Sequence, residues 1–137
     1  MAGTLITSTL QGTTLTDGTN STSTTNCIQG SAKAWVNFNG ASGASPTTRA
    51  SYNVSSVTRD SAGNYTVAFT NAFANVNFVI AGSVQYLNSG AESSGTGYLA
   101  IKNGASMVTT SSVKFNTGFD GSINLDCDVV NVAVFSS

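Results

Sequence analysis

Residues 32–40 read AKAWVNFNG, and the alternation of apolar and polar side chains in this stretch decides how the rest of the chain is interpreted. Ala32, Ala34, Val36 and Phe38 fall on one face of an extended strand, whereas Lys33, Trp35 and Asn37 fall on the other. Successive side chains of a β-strand point to opposite faces, so a period of two predicts a strand with one buried face. The outer face of this strand is amphipathic, because it places an indole ring beside an amide.

The same period of two returns in the segments that follow. Residues 49–58 (RASYNVSSVT) and 64–70 (NYTVAFT) flank the turn-forming residues 60–63 (DSAG), which is the pattern of a β-hairpin. Residues 98–116 predict a second hairpin with its turn at Asn103-Gly104, because Asn-Gly is favoured at tight hairpin turns. The middle of the chain is therefore expected to be an antiparallel meander.

Two further strands complete the predicted fold. Residues 76–86 keep apolar side chains in one phase and predict the longest core-facing strand, whereas residues 123–135 change phase at Val129-Val130, which predicts a β-bulge. Helical periodicity is absent, and only residues 71–75 are compatible with a helical turn. Six or seven strands at short intervals predict an all-β fold for residues 31–137: an antiparallel β-sandwich or a jelly-roll-like barrel.

Residues 1–30 differ from this domain in composition. They contain ten threonines, one charged residue and few apolar side chains, which cannot close a core of their own. Threonine favours extended backbone, so we expect an extended N-terminal arm that adds β-structure to a neighbour, with a disordered linker as the alternative. The apolar positions of the arm are candidate interface residues: Leu5, Ile6, Leu10 and Leu15.

The scarcity of ionisable side chains excludes several functional classes. The 137 residues include no histidine, five Lys/Arg and six Asp/Glu, whereas about half are Ser, Thr, Asn or Gly. Acid–base catalysis and metal binding depend mainly on His, Cys, Lys and carboxylates, so the sequence predicts a protein that is not an enzyme and holds no cofactor or metal. Scattered basic residues and a net charge of −1 predict no binding to nucleic acid. The weakly charged surface favours homo-oligomers.

Targeting features also lead to an expectation about location. No apolar run is long enough to span a bilayer, and the N-terminus lacks the cationic and apolar regions of a secretion signal. Assembly in a cytoplasm is therefore expected, without a membrane partner. In such a compartment Cys27 and Cys127 are expected to be free buried thiols, with a disulfide as the alternative.

Three acidic residues and two aromatic residues are the candidates for a functional site. Asp120, Asp126 and Asp128 are expected to face solvent on a strand, with a calcium site as the alternative, although the spacing of a calcium loop is absent. A glycosidase pair is the least favoured interpretation of these acids. Trp35 and Tyr86 are candidate interface residues, because Trp and Tyr are enriched at interfaces; stacking on a sugar ring and burial in the core are the alternatives.

Three blocks of this sequence resemble a group of small bacteriophage virion proteins. The blocks are residues 32–40, residues 49–58 and the closing VNVAVF of residues 130–135, and they occur in the same order as the K-A-W-V-N-F-N-G strand, the I-R-A-S-[FY]-N-V-S-S hairpin and the V-N-V-A-V-F end of that group. The resemblance covers roughly residues 31–137. Thr48 stands where the pattern has Ile, and this departure concerns packing.

The resemblance implies a virion structural protein without catalytic residues. A fibre that reaches a host needs a shaft of heptads or repeats, and this chain has neither, so a capsid decoration (cement) protein is favoured. Its expected partners are the major capsid protein or tail proteins of the same virion, and it is expected to form a homo-oligomer, with a trimer favoured. The alternative is a tail fibre or tail-knob protein that binds a host receptor or carbohydrate.

Overall fold

A computed structural model describes residues 14–16, 19–43, 45–87, 97–119 and 123–136 of the chain. The chain divides into two compact units, one of residues 1–31 and the other of residues 32–137. No helix in these described ranges is both long enough and apolar enough to cross a bilayer.

The described part of the first unit is a short hairpin followed by a helix. Strands β1 (Thr14–Thr16) and β2 (Ser21–Ser23) pair antiparallel, and helix α1 (Thr24–Gly30) follows. The sequence pattern predicted no helix, and the presence of α1 shows that this prediction was wrong. Its start has a local cause, because the Ser23 hydroxyl accepts a hydrogen bond from the Asn26 N–H at 3.0 Å and so caps the helix.

The second unit consists of two antiparallel sheets, which confirms the prediction of an all-β sandwich. One sheet has four strands in the order β4-β3-β11-β7, and in the other β10, β9, β6 and β5 are neighbours in that order while β8 also pairs with β9. The strand bounds are β3 Ala34–Asn39, β4 Thr47–Tyr52, β5 Val54–Ser61, β6 Asn64–Phe69, β7 Val79–Gln85, β8 Gly97–Ile101, β9 Ser112–Phe119, β10 Ile123–Asn124 and β11 Val129–Phe135.

The core lies between the inner faces of these sheets. Strands β3 and β11 supply the side chains of one layer, and β6 and β9 supply those of the other. Three rings meet at its centre: Phe38 lies 5.1 Å from Tyr65 in an edge-to-face arrangement, and Phe115 lies 6.0 Å from Tyr65, measured between ring centroids. The alternation predicted for residues 34–39 is confirmed, because even-numbered residues up to Phe38 are buried and Trp35 is exposed.

Asn53 interrupts the single strand that was predicted over residues 49–58. β4 ends before it in the four-stranded sheet and β5 begins after it in the other sheet. Asn53 has a φ of 53°, in the left-handed region that Asn tolerates better than most residues. Its amide nitrogen donates to the carbonyls of Lys33 and Asn71, and its amide oxygen accepts from the Asn71 N–H. The corner between the sheets is therefore held by one side chain.

The two predicted hairpins form, but the turn of the second lies elsewhere. β5 pairs with β6 across the predicted turn, and β8 pairs with β9. The reversal before β9 lies at residues 109–112, where the Thr109 hydroxyl accepts from the Ser112 N–H at 2.9 Å. Asn103-Gly104 instead lies in a solvent-exposed loop. The Lys102 N–H on one side of this loop donates to the Lys114 carbonyl, and the Met107 carbonyl on the other side accepts from the Lys114 N–H. A side-chain hydrogen bond that the pattern did not reveal thus fixes the turn.

Two further strand predictions were wrong. β7 begins at Val79 and has seven residues, whereas β5 and β9 have eight, so it is not the longest strand, and Val76 before it is half exposed. No bulge occurs at Val129-Val130, because β11 pairs with both neighbours without a shift in register. The change of phase arises because β10 and β11 belong to different sheets, and the chain crosses between them through residues 125–128. Residues 71–75 contain no helical turn.

Substitution of Asn53 tests its role at the corner. We expect Asn53→Gly to lower the free energy of unfolding by about 2 kcal/mol, because the side-chain hydrogen bonds are lost. Asn53→Ala should cost about 1 kcal/mol more, because a Cβ without a local hydrogen bond strains the left-handed backbone. Urea unfolding of both variants measures this, with Ser56→Ala on the exposed part of β5 as control. Equal stability of the Gly and Ala variants would contradict the assigned geometry.

Candidate functional site

The structure separates the two aromatic residues that were candidates for one site. Trp35 lies on the outer face of β3 and is 40% exposed. Tyr86 is exposed to the same extent, but it follows β7 in the phase of the inward-facing Val84, and its ring contacts Phe119. Leu15 lies in β1, but its side chain is outside the described part of the structure. Leu5, Ile6 and Leu10 lie entirely outside the described residues. Their roles as interface residues remain predictions.

Asp126 is the centre of the densest polar cluster in the described residues. Its carboxylate accepts two hydrogen bonds from the Arg59 Nε, at 2.9 and 3.0 Å, and one from the Arg59 Nη2 at 2.8 Å. The Gly63 N–H donates to it at 2.8 Å and the Tyr65 hydroxyl at 2.6 Å. The expectation that Asp126 faces solvent was therefore wrong: only 23% of its side chain is exposed, because the hairpin β5–β6 closes over it.

The electrostatics of this cluster favour the charged carboxylate and the neutral phenol. Burial acts to raise the pKa of Asp126, but the hydrogen bonds from Arg59, Tyr65 and Gly63 outweigh it and lower the pKa below its ordinary value. Burial and the bond to Asp126 raise the pKa of Tyr65 far above its ordinary value. A carboxylate with a lowered pKa that is surrounded by three donors is a structural anchor and a poor proton acceptor for a substrate.

The residues after Asp126 extend the same anchor to the four-stranded sheet. The carbonyl of Cys127 accepts from the Gly40 N–H at 2.9 Å, and the carbonyl of Asp128 accepts from the Arg49 guanidinium at 2.8 Å. The Asp128 carboxylate accepts from the Leu87 N–H at 2.7 Å, just beyond β7. Residues 126–128, which we call the crossover segment, therefore bond to parts of both sheets.

The described carboxylates are all used within the fold. Besides Asp126 and Asp128, Asp60 accepts a hydrogen bond from Thr66 at 2.8 Å, whereas Asp120 lies outside the described residues. In the described ranges no three His, Cys, Asp or Glu side chains come together as a metal site would require. Both cysteines are free thiols, Cys127 buried and Cys27, contrary to expectation, exposed.

The outer face of the four-stranded sheet presents the second distinctive arrangement. Residues opposite one another in neighbouring strands share a face, and two such rows run across the four strands. The first row is aromatic and small: Tyr52, Trp35, Ala133 and Ala81. The second row is small and polar: Ala50, Asn37, Asn131 and Ser83. Tyr52 is 58% exposed beside Trp35, so the two rings form the prominent end of the face.

We call Asn37, Asn131 and Ser83 of the polar row the amide ladder, because their side chains bond in sequence. The side-chain nitrogen Nδ2 of Asn37 donates to the side-chain oxygen Oδ1 of Asn131 at 2.6 Å, and Nδ2 of Asn131 donates to the Ser83 hydroxyl at 3.2 Å. An open groove of about 520 Å³ lies above the ladder and the alanines, with Trp35 among its lining residues. The groove is open to solvent, unlike the enclosed clefts that bury most of a small ligand. No lining residue of the groove is charged.

Sequence reasoning placed Trp35 and Asn37 on this face and missed the other residues of the two rows. Trp35 was identified from the alternation of β3, and Asn37 was placed on the same face. Tyr52 was not singled out, because a continuous strand over residues 49–58 hides the corner at Asn53 that places β4 beside β3. Asn131 was missed because the phase of β11 was attributed to a bulge. Strand order, which single-sequence periodicity does not reveal, was the information needed.

Comparison of the chain with protein-family models, with curated proteins and with solved structures found no match. The fold and the two sites are therefore interpreted from their own geometry.

Substitutions in the Asp126 cluster should destabilise the domain. Asp126→Asn removes the charge that neutralises Arg59, and we expect a loss of about 2 kcal/mol in unfolding free energy, below the value for fully buried pairs because both side chains are about one quarter exposed. Asp60→Asn, in the same hairpin but exposed, is the matched control and should cost less than about 1 kcal/mol. Equal losses in chemical denaturation would contradict the anchoring role of Asp126.

The pKa directions also predict how stability depends on pH. The lowered pKa of Asp126 contributes stability that is present above its ordinary value of 3.8 and is lost as the pH falls through the lower folded-state pKa. The raised pKa of Tyr65 contributes stability that is present below its ordinary value of 10.0 and is lost as the pH rises above it. Unfolding curves of the wild type and Tyr65→Phe should therefore converge above pH 10. A constant difference between them across this range would argue against the assigned pKa of Tyr65.

Proposed function

We propose that this chain is a non-enzymatic structural protein of a bacteriophage particle exterior, with capsid decoration as the favoured role. One observation carries the proposal: the three sequence blocks that resemble small phage virion proteins form adjacent strands. They correspond to β3, to β4 with the corner and β5, and to β11. β4, β3 and β11 are neighbours in one sheet, so the resemblance extends over a connected surface as well as the core.

The use of charge in the fold supports a structural role. The described carboxylates and both arginines bond to other parts of the domain: Arg59 binds Asp126, and Arg49 binds two backbone carbonyls. A site for acid–base chemistry needs an ionisable group that faces a substrate. These ionisable groups instead connect strands, which is what a rigid knob requires.

Exposed apolar side chains flank β7 and are suited to attachment. Val76 and Val79 lie at its start, 49% and 66% exposed, and Tyr86 and Leu87 follow its end, 40% and 58% exposed. The two pairs lie at opposite ends of a seven-residue strand, so they would form two separate points of contact. We call these four residues the β7 flanks, and we assign to them a contact with a capsid or tail protein of the same virion.

Oligomers would convert such modest contacts into stable attachment. In a homo-oligomer, a trimer being favoured, the contact of one knob raises the effective concentration of the others at the surface. The N-terminal arm would add further contacts through β-type hydrogen bonds. The alternative role is a tail fibre or tail knob that binds a host receptor or carbohydrate. The observation in support of this alternative is the uncharged groove beside Trp35.

Copy number on purified particles tests the proposed role. A decoration protein should be present in a number set by the symmetry of the capsid, as measured by quantitative mass spectrometry and by cryo-EM of the particle. A few copies at the tail would favour the alternative role, and absence from the particle would reject both.

The same measurement tests the β7 flanks. Val79→Ser together with Leu87→Ser should reduce occupancy at least tenfold, because two exposed apolar contacts of about 1 kcal/mol each are lost from every subunit. Ile101→Ser on β8, which is 45% exposed in the other sheet, is the matched control and should leave occupancy unchanged. Full occupancy of the double variant would exclude this surface as the attachment site.

A further inference from the structure

We propose that the outer face of the four-stranded sheet binds a neutral oligosaccharide, whose ring stacks on Trp35 and whose hydroxyls bond to the amide ladder. This inference does not rest on the particle location proposed above. It rests on the two rows of side chains and on the charge of the surface that they form.

The aromatic row supplies a platform for a sugar ring. Trp35 is 40% exposed, and its cross-strand neighbours are Tyr52 on one side and Ala133 on the other. Ala81 continues the row beyond Ala133. The small side chains leave a depression beside the indole, so a flat ring can lie against it with its apolar C–H face. A larger residue in place of either alanine would fill that space.

The amide ladder supplies polar groups at the matching position. The two rows are two residues apart along each strand, about 7 Å, and the ladder spans about 10 Å across three strands. Its hydrogen bonds run from Asn37 through Asn131 to Ser83. The side-chain oxygen of Asn37 therefore remains an acceptor for a ligand, and the Ser83 hydroxyl remains a donor. The second N–H of each amide is a further donor. A pyranose that stacks on Trp35 would place hydroxyls, which both donate and accept, within reach of these groups.

Charge decides between classes of ligand. None of the eight residues in the two rows is ionisable at neutral pH, and no residue that lines the groove is charged. Within the groove an anionic glycan, a phosphate or a nucleic acid would find no cation to replace its counterions, because Lys33, two residues before Trp35 in the same phase, is not among the lining residues. The groove is also open, so it suits a segment of a longer chain better than a small enclosed molecule. These features together favour a neutral polysaccharide.

Affinity electrophoresis of the full chain provides the test. The gels contain dextran, mannan, galactan or glycol chitin as neutral probes, and dextran sulfate as the anionic counterpart. We expect at least one neutral probe to retard the wild type and dextran sulfate to have no effect. Retardation by dextran sulfate alone, or by no neutral probe, would overturn the proposal.

Variants then locate the site. Trp35→Ala should weaken binding of the retarding polysaccharide at least tenfold, because an exposed Trp that stacks on the ligand carries a large share of the binding energy. Asn131→Ala should weaken it about fivefold through the loss of one ladder member. Ile101→Ala is the control, since Ile101 is exposed to a similar extent (45%) but lies on β8 in the other sheet, and it should bind like the wild type.

Two further readouts keep the result interpretable. Thermal unfolding of each variant shows whether the domain remains folded, and Trp35→Phe provides a conservative ring that should restore at least part of the binding. Size-exclusion chromatography shows the oligomeric state. If Trp35→Ala binds the polysaccharide normally, or if it changes the oligomeric state while binding is lost, the face is an interface between copies and the glycan site is rejected.

Discussion

The domain depends on the carboxylate of Asp126. This carboxylate accepts hydrogen bonds from both strands and from the turn of the β5–β6 hairpin. Asp126 receives Arg59 from β5, Gly63 from the turn and Tyr65 from β6. Tyr65 in turn packs its ring edge-to-face on Phe38 of the opposite sheet. Asp126, which lies two residues beyond β10, is thereby connected to the centre of the core. Gly63 fits there because it has a φ of 64° and because a Cβ would collide with the Leu125 backbone.

The crossover segment explains how a chain with so few charges builds a defined sandwich. Between Asp126 and Asp128 the backbone and side chains bond to the ends of β3 and β7 and to Arg49 from β4. Two of the five basic residues and two of the six acidic residues of the chain take part in these contacts. The residues that line the groove on the outer face of the four-stranded sheet carry no charge. Structural use of ionisable groups and an uncharged groove are therefore two consequences of one composition.

Much of this fold could be predicted from the periodicity of the sequence. The parts that were predicted wrongly have a common physical cause. The alternation in β3 and the first hairpin were predicted correctly, because both depend on neighbouring residues. The corner at Asn53, the turn at Thr109 and the crossover before β11 were missed. Each depends on a side chain that bonds to a distant or unexpected backbone group, as Asn53 does to Lys33 and Asn71. Hydrophobic pattern contains no information about such bonds. For the same reason the amide ladder, which joins three strands, could not be assembled from the sequence.

Hydrogen–deuterium exchange on Asp126→Asn tests most directly whether the crossover segment holds both sheets together. Three amide groups report on it: Gly63 donates to Asp126, Gly40 to the Cys127 carbonyl, and Leu87 to the Asp128 carboxylate. If the segment acts as one unit, the variant should lose protection at all three relative to the wild type. Loss of protection at Gly63 alone, with Gly40 and Leu87 unchanged, would contradict this account.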